Sequence, residues 1–193
     1  MTQERKTFFY RCFNSSLVAF AGLVYEFLLA YLLSLTLGNT FLRFAITVGL
    51  FTLTLGISAL AFDHLPEKFK SNFYFLLLQG LIALVAFVSP YWIQIMDPLS
   101  YPASLRDVFV FLSHAPILLI GLLTGLELPF LFYKAEPRHF SLILAFDYLG
   151  MFLAALIYPL VLFPLFGIFV SLYLTLAVNI GVALICWRMK VIL

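Results

Sequence analysis

Six runs of twenty or more almost uninterrupted apolar residues, at about 15–38, 41–62, 73–95, 108–133, 140–162 and 167–187, leave this chain few ways to fold. A bilayer core about 30 Å thick is crossed by roughly 20 residues rising 1.5 Å each. Each run is therefore predicted to be a transmembrane helix. The fold class expected is all-α, a polytopic integral membrane bundle of six helices. Charge supports this, since 11 Lys+Arg and 9 Asp+Glu make only 20 charged residues in 193. A soluble domain carries about a quarter. The abundance of Phe and Leu excludes a disordered chain, and a net charge of +2 gives nucleic acid no electrostatic foothold.

The breaks between the runs carry the polar residues. The first is the tight Gly38-Asn39-Thr40. The next three run from Asp63 to Lys68, through Asp97-Pro98-Leu99, and from Lys134 to Pro137. The last is apolar and rests on Pro164 and Gly167 alone. With six spans, Arg5, Lys6, Arg11, Lys68, Lys70, Lys134, Arg138, Arg188 and Lys190 fall on one side. Only Arg43 and Arg106 fall on the other. Positive charge stays inside, so both termini are expected in the cytoplasm of a multi-pass plasma (inner) membrane protein. Tyr91, Trp92 and Tyr101 suit the outer boundary and Trp187 the inner one.

The expected organisation is a cytoplasmic segment 1–14, a membrane domain 15–187 and a cytoplasmic tail 188–193. Ala19-Phe20-Ala21 imitates a signal-peptide cleavage site, but the apolar run continues to Leu37, which favours an uncleaved first helix. Cys12 and Cys186 lie at cytoplasmic helix ends, where thiols stay reduced. His64, His114 and His139 are scattered and form no metal motif.

Most helices carry a stripe of small or polar residues, the pattern that lets membrane helices approach closely. Helix 1 shows Ser15, Ala19, Gly22, Glu26, Ala30 and Ser34, with bulkier residues opposite. Helix 2 shows Ala45, Gly49, Thr52, Gly56 and Ala59, and helix 4 has Gly121 and Gly125. Helix 5 lines up Asp147, Gly150, Ala154 and Tyr158; helix 6 lines up Gly167, Ser171, Thr175 and Asn179. Helix 3 offers only Gln79, Ala83 and Ala86. Close packing alone explains such stripes.

Three carboxylates ask for more. Glu26, Glu127 and Asp147 each sit inside a span, where an ionised side chain costs about 2.5–3.5 kcal/mol or more. Each also lies on its helix's small-residue stripe. Glu127 and Asp147 are expected at matching depth, about 10 Å from the cytoplasmic end, and Glu26 at about 16 Å. No Lys or Arg shares that depth, Arg43 being nearest on the outer side. Three acids facing one interior space would hold a cation; the plainer alternative is protonated acids bonded across helices. Pro129 removes a backbone donor beside Glu127 and loosens the helix there.

These residues also carry a resemblance. Gly22-Leu23-Val24-Tyr25-Glu26, then Leu37-Gly38-Asn39 and Leu55-Gly56-Ile57-Ser58, resemble the opening of the membrane domain of membrane-bound polyamine aminopropyltransferases, the spermidine synthase-like membrane proteins. The stretches from Gly121 to Pro129 and from Asp147 to Pro159 resemble that domain's later helices, in the same order. The resemblance implies that Glu26, Glu127 and Asp147 occupy signature positions. It also implies a cytoplasmic Rossmann-like catalytic domain, absent from these 193 residues, which contain no Gly-rich nucleotide loop. Aminopropyl transfer by this chain alone is therefore not expected, and no cofactor is assigned.

The leading expectation is a unit that binds or translocates an organic cation, with polyamines as ligands. Glu26, Glu127 and Asp147 would pair with ammonium groups, while Tyr25 and Tyr148 would add cation–π contacts. The alternative is a non-catalytic anchor for a separate cytoplasmic enzyme, or a homo-oligomer, with the basic loops as contact surface. An intramembrane enzyme is the weakest reading, because no nucleophile accompanies the acids and Ser113 and His114 are expected on different helix faces.

Overall fold

A long apolar helix with one interior glycine and no proline has nothing to interrupt it, and α1 (Gln3–Leu37) runs unbroken for 35 residues. The computed structural model describes residues 3–189. Lys190, counted above among the inner charges, lies outside them, as does most of the expected tail. The expected separate segment 1–14 is, from residue 3 on, the first turns of α1. The helix stops where Gly38 and Asn39 take left-handed φ values of 69° and 48°. Asn39 then caps α2 (Thr40–Ala61), its side chain accepting from the Leu42 N–H at 3.4 Å.

Two short 3₁₀ turns lead to α3 (Asn72–Ile95), and two more lead to the next span. That span, expected as one helix over 108–133, is three pieces: α4 (Arg106–Ser113), α5 (Ala115–Thr124) and α6 (Glu127–Phe132). The first break precedes Pro116 and the second lies one turn before Pro129. A proline cannot donate to the carbonyl four residues back and crowds it.

α7 (Pro137–Ile157) follows, then a π-helical turn over Tyr158–Leu162 and α8 (Phe163–Met189). Among the described residues, five stretches are long and apolar enough to cross a membrane: Arg5–Leu37, Thr40–His64, Asn72–Ile95, Ala103–Phe132 and Pro137–Arg188. The last has 52 residues, and it doubles back on itself. Ser15 meets the Ile143 carbonyl at 3.1 Å and the rings of Phe27 and Tyr158 lie 5.9 Å apart, so α7 runs parallel to α1. Tyr31 meets Phe163 at 4.8 Å and the Asn14 amide reaches Cys186 Sγ at 3.1 Å, so α8 runs antiparallel. The reversal uses the π turn and Gly167, whose φ of 68° and ψ of −171° are non-helical.

The core is built around α1, which packs against α2, α3, α5, α6, α7 and α8. On the opposite, bulkier side Val24 is fully buried and Leu17, Phe20, Phe27 and Tyr31 are half-buried, so the side expected to face lipid is largely covered as well. Two close approaches fix the neighbours. A Cβ on Gly150 would sit 2.0 Å from the Ser16 carbonyl oxygen, so α7 lies against α1 backbone to backbone. A Cβ on Gly125 would sit 2.2 Å from the Leu55 carbonyl oxygen, and one on Gly121 2.9 Å from that of Phe51. These glycines let α5 press on α2 in parallel register. Thr54 and Ser58 line the contact without stranding a polar group, because both hydroxyls bond back to α2 carbonyls at 2.9–3.1 Å.

The inward face of α2 differs from expectation. Thr47, Phe51, Thr54 and Ser58 are buried, whereas Ala45, Gly49 and Thr52 are exposed. A Cβ on Gly49 or Gly56 would meet nothing within 4 Å. Both faces of α2 contain small residues; the partner's glycines decide which one is used.

Candidate functional site

Pro129 shapes the site first. With the helix broken at Gly125 and Leu126, Glu127 becomes the first residue of α6 and turns inward, only 3% exposed. The Gln79 amide on α3 donates to its Oε1 at 2.5 Å. Asp147, one turn before the Gly150 contact, accepts from Ser15 Oγ at 3.2 Å and lies within electrostatic reach of Glu127. Glu26 is 6% exposed and, among the described residues, has no hydrogen-bond or ion-pair partner. No ion pair joins it to Arg43, whose electrostatic neighbour is His114.

All three carboxylates line one cavity of about 250 Å³. Its walls are residues 18–26 of α1, 51–59 of α2, 124–132 around the helix break, and Asp147 and Met151 of α7. No Lys, Arg or His contributes to the lining, which is otherwise apolar or small. An uncompensated acid in such surroundings is relieved by a proton or by a bound cation. The cavity lies below the range of about 300–1,000 Å³ that admits drug-sized ligands, and so suits a small or slender one.

The two tyrosines are placed elsewhere. Tyr148 is 61% exposed on the outer face of α7. Tyr25 does not line the cavity and is fully buried against Leu28, Leu29, Pro90 and Leu172, beside a separate, smaller space, with its hydroxyl within electrostatic reach of Glu127. Each is one residue from a cavity acid, and one residue on a helix turns about 100°. Gln79 was legible only as a lone amide in an apolar run. Arg11, read as a topology charge, is 4% exposed and donates to the carbonyls of Leu131 and Tyr133 at 3.2 and 3.0 Å. It thereby caps the helix that carries Glu127.

Ser113 and His114, expected on different faces, converge. Their Oγ and Nδ1 are 3.5 Å apart because the helix breaks between them. Both point at the Val110 carbonyl, each at 2.7 Å. A carbonyl only accepts, so Nδ1 carries the proton and cannot take one from Ser113.

The basic loops gather at one end of the bundle, where Lys70 and Lys134 lie over the Tyr133 ring at 5.7 and 5.3 Å. Phe8 stacks on His139 there at 4.0 Å. Exposed Glu67 ties this end together, accepting from Tyr133 Oη and from Lys70 Nζ at 3.2 Å. Those two donors, Tyr133 first, hold its carboxyl below the usual range. Among the described residues no group of His, Cys, Asp and Glu is placed to hold a metal.

Among the described residues, a bundle of long apolar helices around an acid-lined cavity is the class the geometry defines. Its sequence is similar to curated polyamine aminopropyltransferases. That of Oceanobacillus iheyensis is 31% identical over 180 residues, covering 89% of this chain and 34% of the relative. That of Leptospira interrogans is 27% identical over 178 residues, covering 87% and 33%. Polyamine aminopropyltransferase 2 of Ralstonia nicotianae is 30% identical over 162 residues, covering 78% and 30%. The chain thus spans about a third of the length of the curated relatives it matches. No family model matches. No solved structure matches either.

Proposed function

We propose that this chain is a six-span inner-membrane protein, both ends cytoplasmic, whose acid-lined cavity binds or translocates an organic cation, a polyamine above all. The observation that carries the reading is that Glu26, Glu127 and Asp147 line one cavity with no basic side chain in its walls. The doubling back at Gly167 supports counting Pro137–Arg188 as two crossings. The gathering of basic residues at one end supports a cytoplasmic assignment for that end. The relatives' names supply the ligand class, since a polyamine is a flexible chain of ammonium groups on apolar spacers. Alternating charge and methylene matches carboxylates spaced along an otherwise apolar cleft.

The test is binding of labelled putrescine and spermidine to the reconstituted chain. A hydrogen bond to a charged group contributes about 1.5–3 kcal/mol, so Glu127→Gln and Asp147→Asn are each expected to weaken binding by roughly 10–100-fold. Unchanged affinity in both variants would overturn the site assignment.

One observation favours a second reading, that the helical unit anchors or recruits an aminopropyltransferase: the relatives are about three times the length of the segment they share with this chain. Under this reading the basic end is the contact surface. A stoichiometric enzyme co-purifying from native membranes, with no polyamine binding by the isolated chain, is the outcome it expects.

A further inference from the structure

A second cavity, of about 350 Å³, lies between the same helices α1, α2 and α7, displaced toward the Gly38–Asn39 end. The order along each helix makes the relation clear. On α1 the acidic cavity uses residues 18–26 and the second cavity 27–34. On α2 they use 51–59 and 40–44, and on α7 Asp147 and Met151 against Ala155 and the turn that follows. Glu26 and Phe27 are the adjoining residues, and Ser34 lies about 12 Å further along the helix.

The lining of this second space is aromatic. Phe27, Tyr31, Phe44, Tyr158 and Phe163 come from α1, α2, the π turn and α8. Their rings form a connected set: Phe27 lies 5.9 Å from both Phe44 and Tyr158, and Phe163 lies 4.8 Å from Tyr31 and 6.0 Å from Tyr158. No charged side chain lines it. Tyr158 is 6% exposed, and its buried hydroxyl oxygen has no hydrogen-bond partner. It sits on the π turn that Pro159 opens, and single π turns are frequent at functional sites.

We propose that this aromatic cage is a second organic-cation site, selective for an alkylated ammonium, placed in line with the acidic cavity. Ring faces attract a cation through their quadrupole without supplying strong acceptors. The cage therefore favours an ammonium with few or no N–H groups, whereas the carboxylates favour one rich in them. The role as a station before the acidic cavity rests on the cation-binding reading above; the cage itself does not.

The experiment uses the full chain in nanodiscs of phosphatidylglycerol and titrates tetramethylammonium, which carries no N–H. Saturable binding is expected, weakened about tenfold by Phe44→Leu and by Phe163→Leu. The double variant Glu127→Gln with Asp147→Asn, whose positions do not line the cage, is expected to retain binding. No saturable binding, indifference to Phe44→Leu, or loss in the double acid variant would each overturn the cage. Added phosphatidylcholine separates the sources of the ammonium. Competition by that lipid identifies a headgroup as the occupant and removes the station role; its absence identifies a free solute. Cage binding that persists while putrescine fails to bind overturns the proposed polyamine function and leaves the cage standing.

Discussion

Alanine at Gly125 places a methyl group where the backbone of α2 already is. The added Cβ would lie 2.1 Å from Ser58 Oγ, 2.2 Å from the Leu55 carbonyl oxygen and 2.8 Å from Leu55 Cα. The hydroxyl can rotate away, but the carbonyl and Cα belong to a helix that must move as a unit. Overpacking of this kind costs about 1–3 kcal/mol, against which alanine, compatible with the φ of −64° there, regains about 0.4–1 kcal/mol by restricting the unfolded chain. The net expectation is a loss of about 1–2 kcal/mol. For a chain of this length that corresponds to a melting midpoint lowered by roughly 2–8 °C. Gly49→Ala is the control: it adds the same methyl to open space on α2 and is expected to be neutral or slightly stabilising. Thermal unfolding of the purified protein in one detergent, followed by circular dichroism, reads both variants. Because Glu127 begins its helix two residues later, Gly125→Ala is also expected to weaken putrescine binding while Gly49→Ala does not. Equal midpoints for the two variants would refute the backbone contact between α2 and α5, and with it the wall that α2 gives the acidic cavity.

Gln79→Leu removes the amide that bonds Glu127 and leaves a buried acid without that donor, at an expected cost of about 1–3 kcal/mol in denaturant unfolding. Adding Glu127→Leu is expected to recover much of that loss, and a purely additive double variant would show that the pair does not interact. At the basic end, the Glu67 carboxyl is held below its ordinary range, first by Tyr133 and then by Lys70. A lowered folded-state pKa means that its contribution is present above the unfolded pKa of about 4.3 and lost as pH falls through the folded value. Protection of residues 65–70 against hydrogen exchange, taken relative to the intrinsic rate at each pH, is therefore expected to fall under acid in the native chain. Glu67→Gln is expected to show low protection at every pH, and an unaltered acid loss of protection in that variant would refute the tether.

The acidic cavity and the aromatic cage lie between the same helices and differ in chemistry. Carboxylates need donors and ring faces need only charge, so the two spaces would favour different ammonium groups. Both depend on helix irregularities. Pro129 sets Glu127 at the start of a short helix, and Pro159 opens the turn that holds Tyr158. A straight α4–α6 rod would carry Glu127 with its full backbone ladder and a different neighbour.

Much of the architecture was legible because hydrophobic length and charge asymmetry are properties of composition along the chain. The apolar runs gave the helices to within a few residues at most boundaries, Pro164 and Gly167 marked the reversal, and the interior acids stood out against lipid-compatible neighbours. Face selection was not legible in the same way. On α2 the stripe containing Gly49 and the row containing Thr54 both qualify as packing surfaces, and only the glycines of α5 distinguish them. Tyr25 and Tyr148 adjoin cavity acids in sequence and do not line the cavity, because adjacency along a helix is a turn of about 100° in space. Gln79 and Arg11 found their partners 48 and 120 residues away. The sequence alone determined that the chain is helical and apolar, that it carries three costly acids, and which end gathers its positive charge. Bringing those acids around one cavity, and aromatic rings around the next, was left to tertiary packing, since pairings between distant helices depend on shape complementarity that no local pattern encodes.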